Sequence, residues 1–178
     1  MSTSRTVIVD AAATLFARFG FERTSIQAIA DATGYSKAGL LHHFPTKLAV
    51  YAAVLEESHT ETVRVKDRVA DLPVGTERDR RAVELLVDLA LSRPGLVSML
   101  LSAIVPTGND DTDHIDLLGG LLLEAFDDVA PADARHIRVT GALVALGILA
   151  LEARRSDNAS FWRNEIIATA LSTLGQVH

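Results

Sequence analysis

The chain has 178 residues, of which 48% are hydrophobic, 22% charged and 5% aromatic. That balance belongs to a folded globular protein, excludes a disordered or fibrous one, and leaves room for one domain or a small domain joined to a larger one. The absence of cysteine excludes a disulfide framework, thiol catalysis and cysteine-ligated metal centres, and points to a reducing, cytoplasmic location.

The net charge of −6 divides unevenly: residues 1–50 carry five basic side chains against three acidic ones, giving +2, and the remainder carries −8. An electropositive end on an acidic body singles out the first fifty residues. The N-terminus holds Arg5 and Asp10 and no long apolar run, so it does not read as a signal peptide. The longest nearly apolar stretch, residues 139–151, has 13 residues, short of the roughly 18 of a membrane span. It reads as a buried helix, and no membrane partner is expected.

Helical periodicity runs from end to end. Val7, Ile8, Ala11, Ala12, Leu15, Phe16 and Phe19 recur at three- and four-residue steps, and Gly20 supplies a stop. Thr24 with Gln27 forms a capping box that opens a second helix with Ile26, Ile29 and Ala30 on its inner face. Gly34 ends it in the left-handed conformation, and Ser36 caps a third helix over residues 37–43, with Leu40 and Phe44 facing inward. A fourth helix covers residues 46–70; about 24 residues make it roughly 36 Å long, enough to link one lobe to another. Pro73 and Gly75 break the chain. Two further helices, residues 77–91 and 94–105, follow, with Pro94 suited to a first turn. Residues 106–112 form a loop whose acids cap a helix over 113–129. Pro131 opens another that runs to about 155, and Asp157 or Asn158 caps the last, residues 159–174, which stops at Gly175. No run alternates as a strand would. The fold class is therefore all-α with about nine helices.

The informative window is residues 24–47, TSIQAIADATGYSKAGLLHHFPTK. Two short helices joined by a glycine-containing turn make a helix-turn-helix. Ala38 and Gly39 keep the second helix slim enough for a major groove, and Lys37 and His42 offer donors to phosphates or base edges. Amides at both helix N-termini add phosphate donors.

On these residues the N-terminal third, residues 5–55, resembles the DNA-binding domain of TetR-type (tetracycline-repressor-like) transcriptional regulators. The family's run is matched by Thr24, Ser25, Ile26, Ile29, Ala30, Gly34, Ser36, Leu40, His43, Phe44 and Lys47, with Thr46 a near match. Tyr35 stands where a small aliphatic residue is usual, Ala38 replaces a common glycine, and Leu41 replaces a tyrosine that contacts phosphate in the family. Leucine donates no hydrogen bond, so that contact is lost or supplied by Tyr35 or His42. The resemblance implies a DNA-binding domain over residues 1–50 and a ligand-binding and dimerisation domain over 51–178. It implies DNA contacts from Thr24, Ser25, Tyr35, Ser36, Lys37, Ala38, Gly39, His42 and Lys47.

In the C-terminal part, Ser98, Met99 and Ser102 lie among bulky aliphatics and, with residues 117–126, suggest a mostly aliphatic cavity wall with few polar anchors. His59 and His114 fall in helices that border the ligand cavity in similar regulators. Gly141 and Ala145, four apart, would let a partner helix approach, and Ile167 and Leu171 widen the stripe made by Trp162, Ile166, Ala170 and Leu174. These residues suggest dimerisation through the last two helices as a four-helix bundle. The six histidines have no paired metal-ligand spacing, and Asp110, Asp111, Asp113 and Asp116 lack the glycine and closing glutamate of a calcium loop. No catalytic motif is present, and no cofactor or metal is expected. The implied function is a homodimeric transcriptional regulator. It is most simply a repressor that binds a near-palindromic operator and is released by a small apolar or amphipathic ligand. The alternative, which Leu41 sustains, is a helical ligand-binding or interaction protein that has lost sequence-specific DNA binding.

Overall fold

Apolar residues at helical spacing produce nine helices among the described residues of the computed structural model, which are 4–104, 112–127, 133–156 and 158–176. They are α1 (Ser4–Arg23), α2 (Ile26–Thr33), α3 (Lys37–His43), α4 (Lys47–Val69), α5 (Thr76–Ser92), α6 (Pro94–Ile104), α7 (Thr112–Ala125), α8 (Ala134–Ala153) and α9 (Ala159–Thr173). Among the described residues there is no strand.

Helix α1 is interrupted at Gly20 (φ 78°, ψ 166°), where the stop signal lies. The Thr24 hydroxyl donates to the Gly20 carbonyl at 2.8 Å and to that of Leu15 at 3.3 Å, and the residue is only 3% exposed. Thr24 therefore does not cap α2. Ser25 does, its Oγ accepting from the Ala28 amide at 3.0 Å. The Gln27 amide group donates forward to Asp31 at 2.8 Å instead of reaching back. The cap sits one residue later than the capping box places it, because the break in α1 occupies Thr24.

Two apolar cores form. The first gathers Ile8, Ala12 and Phe16 of α1, Ile29 and Ala30 of α2, Leu40 of α3, Phe44, and Val50, Tyr51 and Val54 of α4. It also takes Leu96 and Met99 from α6. Phe16, Phe21 and Tyr51 meet in it as an aromatic trio with centroids 5.0 to 5.9 Å apart. The second core is built from α5, α6, α7, α8 and α9 with Val65 and Val69 of α4. Residue 50 lies inside α4, and Tyr51, Ala53 and Val54 beyond it belong to the first core.

A few long-range polar ties fix the second core. Arg135 of α8 forks onto Asp79 of α5 (2.9 and 3.3 Å) and also donates to the Phe126 carbonyl, while Gln176 donates to Asp79 at 3.0 Å. Arg78 caps the end of α7 by donating to the carbonyls of Glu124 and Ala125. Arg163 of α9 forks onto Asp88 of α5 (2.6 and 3.1 Å), and this hydrogen bond raises the guanidinium's pKa above the ordinary arginine value.

Helix α9 packs on both α8 and α5 of its own chain. Leu171 is fully buried in its own chain, and Ile167 packs half-buried against the same core. A Cβ on Gly141 would lie 3.4 Å from Thr173 of the same chain's α9, and Ala145 is half-buried. The widened stripe on α9 serves two neighbours within the chain. The large apolar side chains left exposed on α8 and α9 are instead Ile137 (70%), Ile148 (56%) and Phe161 (55%). By length and composition the 20-residue α8 would suffice to cross a bilayer. Here its Val139, Ala142, Leu143, Leu146 and Ala150 pack into the second core.

Candidate nucleic-acid interface

Local chemistry shapes α2 and α3. Gly34 closes α2 at φ 73°, ψ 11°, a left-handed conformation that a residue with a Cβ adopts only at a cost. Its amide and that of Tyr35 turn back onto the last turn of α2, the latter reaching the Ala30 carbonyl at 3.0 Å. The chain then re-enters a helix at once: Ser36 caps α3 by accepting from the Gly39 amide at 3.0 Å. Leu40 anchors α3 in the core with no exposed surface, and Phe44 ends it, 3% exposed.

With those two residues inside, the opposite face of α3 is open. Lys37, Ala38, His42 and His43 are exposed, and Gly39 is half-buried beneath Ser36 and Tyr35. Lys37 has no hydrogen-bond or ion-pair partner among the described residues, so its ammonium is available to an external anion. Tyr35 is half-buried, its ring meeting His43 edge-on at 5.6 Å, and His43 in turn meets His42 at 5.9 Å. Ser25 and Ser36 are exposed at the starts of α2 and α3. Leu41 is half-buried, and the phenol ring in this region is that of Tyr35.

Two expected contacts are placed differently. Thr24 is buried beneath the Gly20 break, so its hydroxyl does not face outward. Lys47 donates to the Phe21 carbonyl at 2.8 Å and to that of Glu22 at 3.3 Å, with its ammonium 4.2 Å from the Phe21 ring centroid. It caps the end of α1 and ties it to the start of α4. That cap is intramolecular, and it comes from a residue that the family resemblance assigns to DNA contact.

The expected cavity residues also separate. Met99 is buried in the first core. Ser98 and Ser102 lie in an outer groove with Thr14, Ala17 and Arg18 of α1 and Val144, Ile148 and Leu151 of α8, their hydroxyls bonded to Pro94 and Met99 carbonyls of their own helix. His59 is exposed on α4 because the inward face of that helix is Val54, Ser58, Thr62, Val65 and Val69. The side chain of His114 lies outside the described residues. A different, apolar-lined cleft opens among α5 to α8, with a cavity volume of only about 30 Å³. Its walls are Leu86 and Leu89 of α5, Val97, Leu100, Leu101 and Ile104 of α6, Leu122 of α7, and Leu143, Leu146 and Gly147 of α8. Val97, Leu100, Leu101, Ile104 and Leu122 fall in the aliphatic segments that sequence reasoning proposed as a cavity wall, whereas the α8 residues of the cleft were not foreseen, nor was Ser58, whose fully buried hydroxyl has no hydrogen-bond partner among the described residues. Among those residues no three His, Asp or Glu side chains are placed to hold a metal ion.

Residues 8–54 match the profile of the bacterial regulatory proteins of the tetR family. The HTH-type transcriptional regulator RutR of Escherichia coli K12 is 42% identical over 57 residues, 32% of this chain and 27% of RutR. The chain thus matches little more than a quarter of the length of that relative. Over the whole chain the likeness is one of fold. The TetR-like regulator LfrR of Mycobacterium smegmatis superposes with a TM-score of 0.66 at 15% identity, covering 98% of this chain and 95% of LfrR. The transcriptional regulator FadR of Bacillus subtilis, solved in complex with stearoyl-CoA, superposes with a TM-score of 0.59 at 14% identity, covering 97% and 98%.

Proposed function

From the match of residues 8–54 to the tetR family of bacterial regulatory proteins, we propose that this chain is a DNA-binding transcriptional regulator of that kind. The carrying observation is the outward face of α3, where Lys37 and His42 are exposed on a short helix anchored from behind by Leu40. A helix so presented fits a major groove, with Ala38 small enough to let the backbone approach. The protein acts as a homodimer on a near-palindromic operator. Its dimer face is the exposed α8–α9 surface carrying Ile137, Ile148 and Phe161, in place of Ile167 and Leu171. The effector is an apolar or amphipathic molecule with an aliphatic portion, which enters between α5 and α8 by parting the apolar walls of the narrow cleft there. The all-apolar wall supports that class, as does a neighbour in fold crystallised with stearoyl-CoA. Ligand and operator then oppose each other through the spacing of the two α3 helices, which must match successive major grooves about 34–36 Å apart.

The test is selection of duplexes from a random-sequence pool, followed by binding to the selected site at several salt concentrations. If the dimer neutralises 6–10 phosphates, affinity falls by about 10³–10⁵ between 50 and 200 mM salt. Lys37→Ala weakens binding by about tenfold, or about 1.4 kcal/mol. Equal affinity for a scrambled duplex at physiological salt refutes the proposal and leaves a helical ligand-binding protein in its place.

A further inference from the structure

Helix α6 belongs to both halves of the molecule. Leu96 and Met99 fill the N-terminal core, while Val97, Leu100 and Leu101 line the cleft. Its first turn is held by α1. The Asp10 carboxylate accepts from the Gly95 amide, with 3.0 Å to each oxygen, and from the Leu96 amide at 3.3 Å. Arg93, one residue before the helix, lies 3.6 Å from the same carboxylate and pairs with Glu57 of α4. The backbones also touch: a Cβ at position 95 would fall 1.8 Å from the Asp10 carbonyl oxygen, so only glycine fits there.

Hydrogen bonds of this kind are short-ranged and directional, and close-packed backbones do not slide past one another gradually. When α6 shifts, α1 either follows or releases its carboxylate. Following carries the remainder of the first core with it, because Ile8, Ala12 and Phe16 share that core with Ile29 of α2 and Leu40 of α3. We propose that Asp10 is a positioning residue through which α1 follows α6, so that displacement of α6 at the cleft re-aims the helix-turn-helix by way of α1 in addition to the long α4. The inference rests on the reading of residues 24–47 as the DNA-binding element, and its test separates the two.

Gly147 of α8 supplies a defined stand-in for a ligand. A Cβ there would lie 2.6 Å from the Leu101 side chain of α6, so Gly147→Val drives a wedge between α8 and α6. The wedge is placed in the wild-type chain and in an Asp10→Ala background, each checked for native helicity by circular dichroism. Two quantities are read: the amide chemical shifts of residues 24–43 in the free protein, and affinity for a duplex that the wild-type chain selects from a random pool.

In the wild-type background Gly147→Val moves those shifts and weakens duplex binding by about fivefold or more, within the usual span of allosteric coupling. In the Asp10→Ala background shifts in α8 still move, those of residues 24–43 do not, and the affinity ratio returns to about one. Asp10→Asn retains a capping oxygen and keeps the response. Should Asp10→Ala unfold, Asp10→Glu, whose longer carboxylate is out of register with the α6 amides, replaces it with the same expected loss. A wedge response at residues 24–43 that survives loss of the cap overturns the proposal, as does silence there in the wild-type background while α6 resonances move. Failure to select any duplex counts against the DNA-binding reading alone, since the shift measurement stands without DNA.

Discussion

The two halves of the chain hold their helices in place by different means. In the N-terminal half, α2 and α3 are 8 and 7 residues long and are set by contacts within a few residues: the Ser25 and Ser36 caps, the left-handed Gly34, and one anchor each turn. In the C-terminal half, helices of 11 to 20 residues are positioned by ties that span the sequence, from Arg135 to Asp79 and Phe126, from Gln176 to Asp79, and from Arg163 to Asp88. A locally set element keeps its shape wherever it is carried. An element set by distant partners changes position when one of them moves. The division suits the proposed function, in which a rigid reading head is carried on a body that responds to a ligand.

The comparison is broken most strongly at Leu40. Leu40→Ala removes a side chain with no exposed surface and costs about 4 kcal/mol by the combined loss of burial and the cavity left behind. Because α6 contributes to both cores, urea unfolding followed by circular dichroism and by Trp162 fluorescence shifts together. Transitions that separate would mean that the halves unfold independently. Next comes Asp79→Ala, which leaves Arg135, its side chain 30% exposed, with a lost partner inside the second core. A cost of about 3 kcal/mol is expected, at the lower end for a broken buried pair because water still reaches the guanidinium. Duplex affinity at saturating folded protein changes little, since α2 and α3 are shaped locally. A large loss of affinity in a folded Asp79→Ala protein would show that the reading head depends on the body for its shape. The smallest effect is Ser36→Ala, about 1 kcal/mol in stability through the uncapped Gly39 amide. Its amide exchange is expected to rise within residues 37–43 alone.

The same contrast explains what the sequence discloses. The Gly34 turn, the Ser36 cap and the inward Leu40 follow from short-range rules and stand where those rules put them, as most of the helices do, although the helix expected over 113–129 ends at Ala125. Assignments that depend on which way a helix faces did not follow so simply. On α4 the polar Ser58 and Thr62 point inward, against the usual sorting by polarity, which leaves His59 outside. Ile167 and Leu171 widen the stripe on α9 because two helices of the same chain flank it, a fact that no one-helix pattern contains. Thr24 looks like a cap in isolation, but its hydroxyl is claimed by the carbonyls of Gly20, at the break in α1, and of Leu15, nine residues before it. Asp10 is a half-buried acid on the first helix, and its partners at 95 and 96 lie too far along the chain for any local pattern to pair them.

The fit between Asp10 and Gly95 also limits how this protein is recombined with others. A chimera joined at the start of α4 imports a foreign α1, and with it whatever residue stands at position 10. If that residue is not a short carboxylate or its amide, the α6 amides of Gly95 and Leu96 lose their acceptor. Grafting the α6 segment instead brings any side chain at position 95 into the path of the Asp10 carbonyl. Positions 10 and 95 therefore have to travel as a pair, although the seam between a reading head and its body would ordinarily be drawn between them.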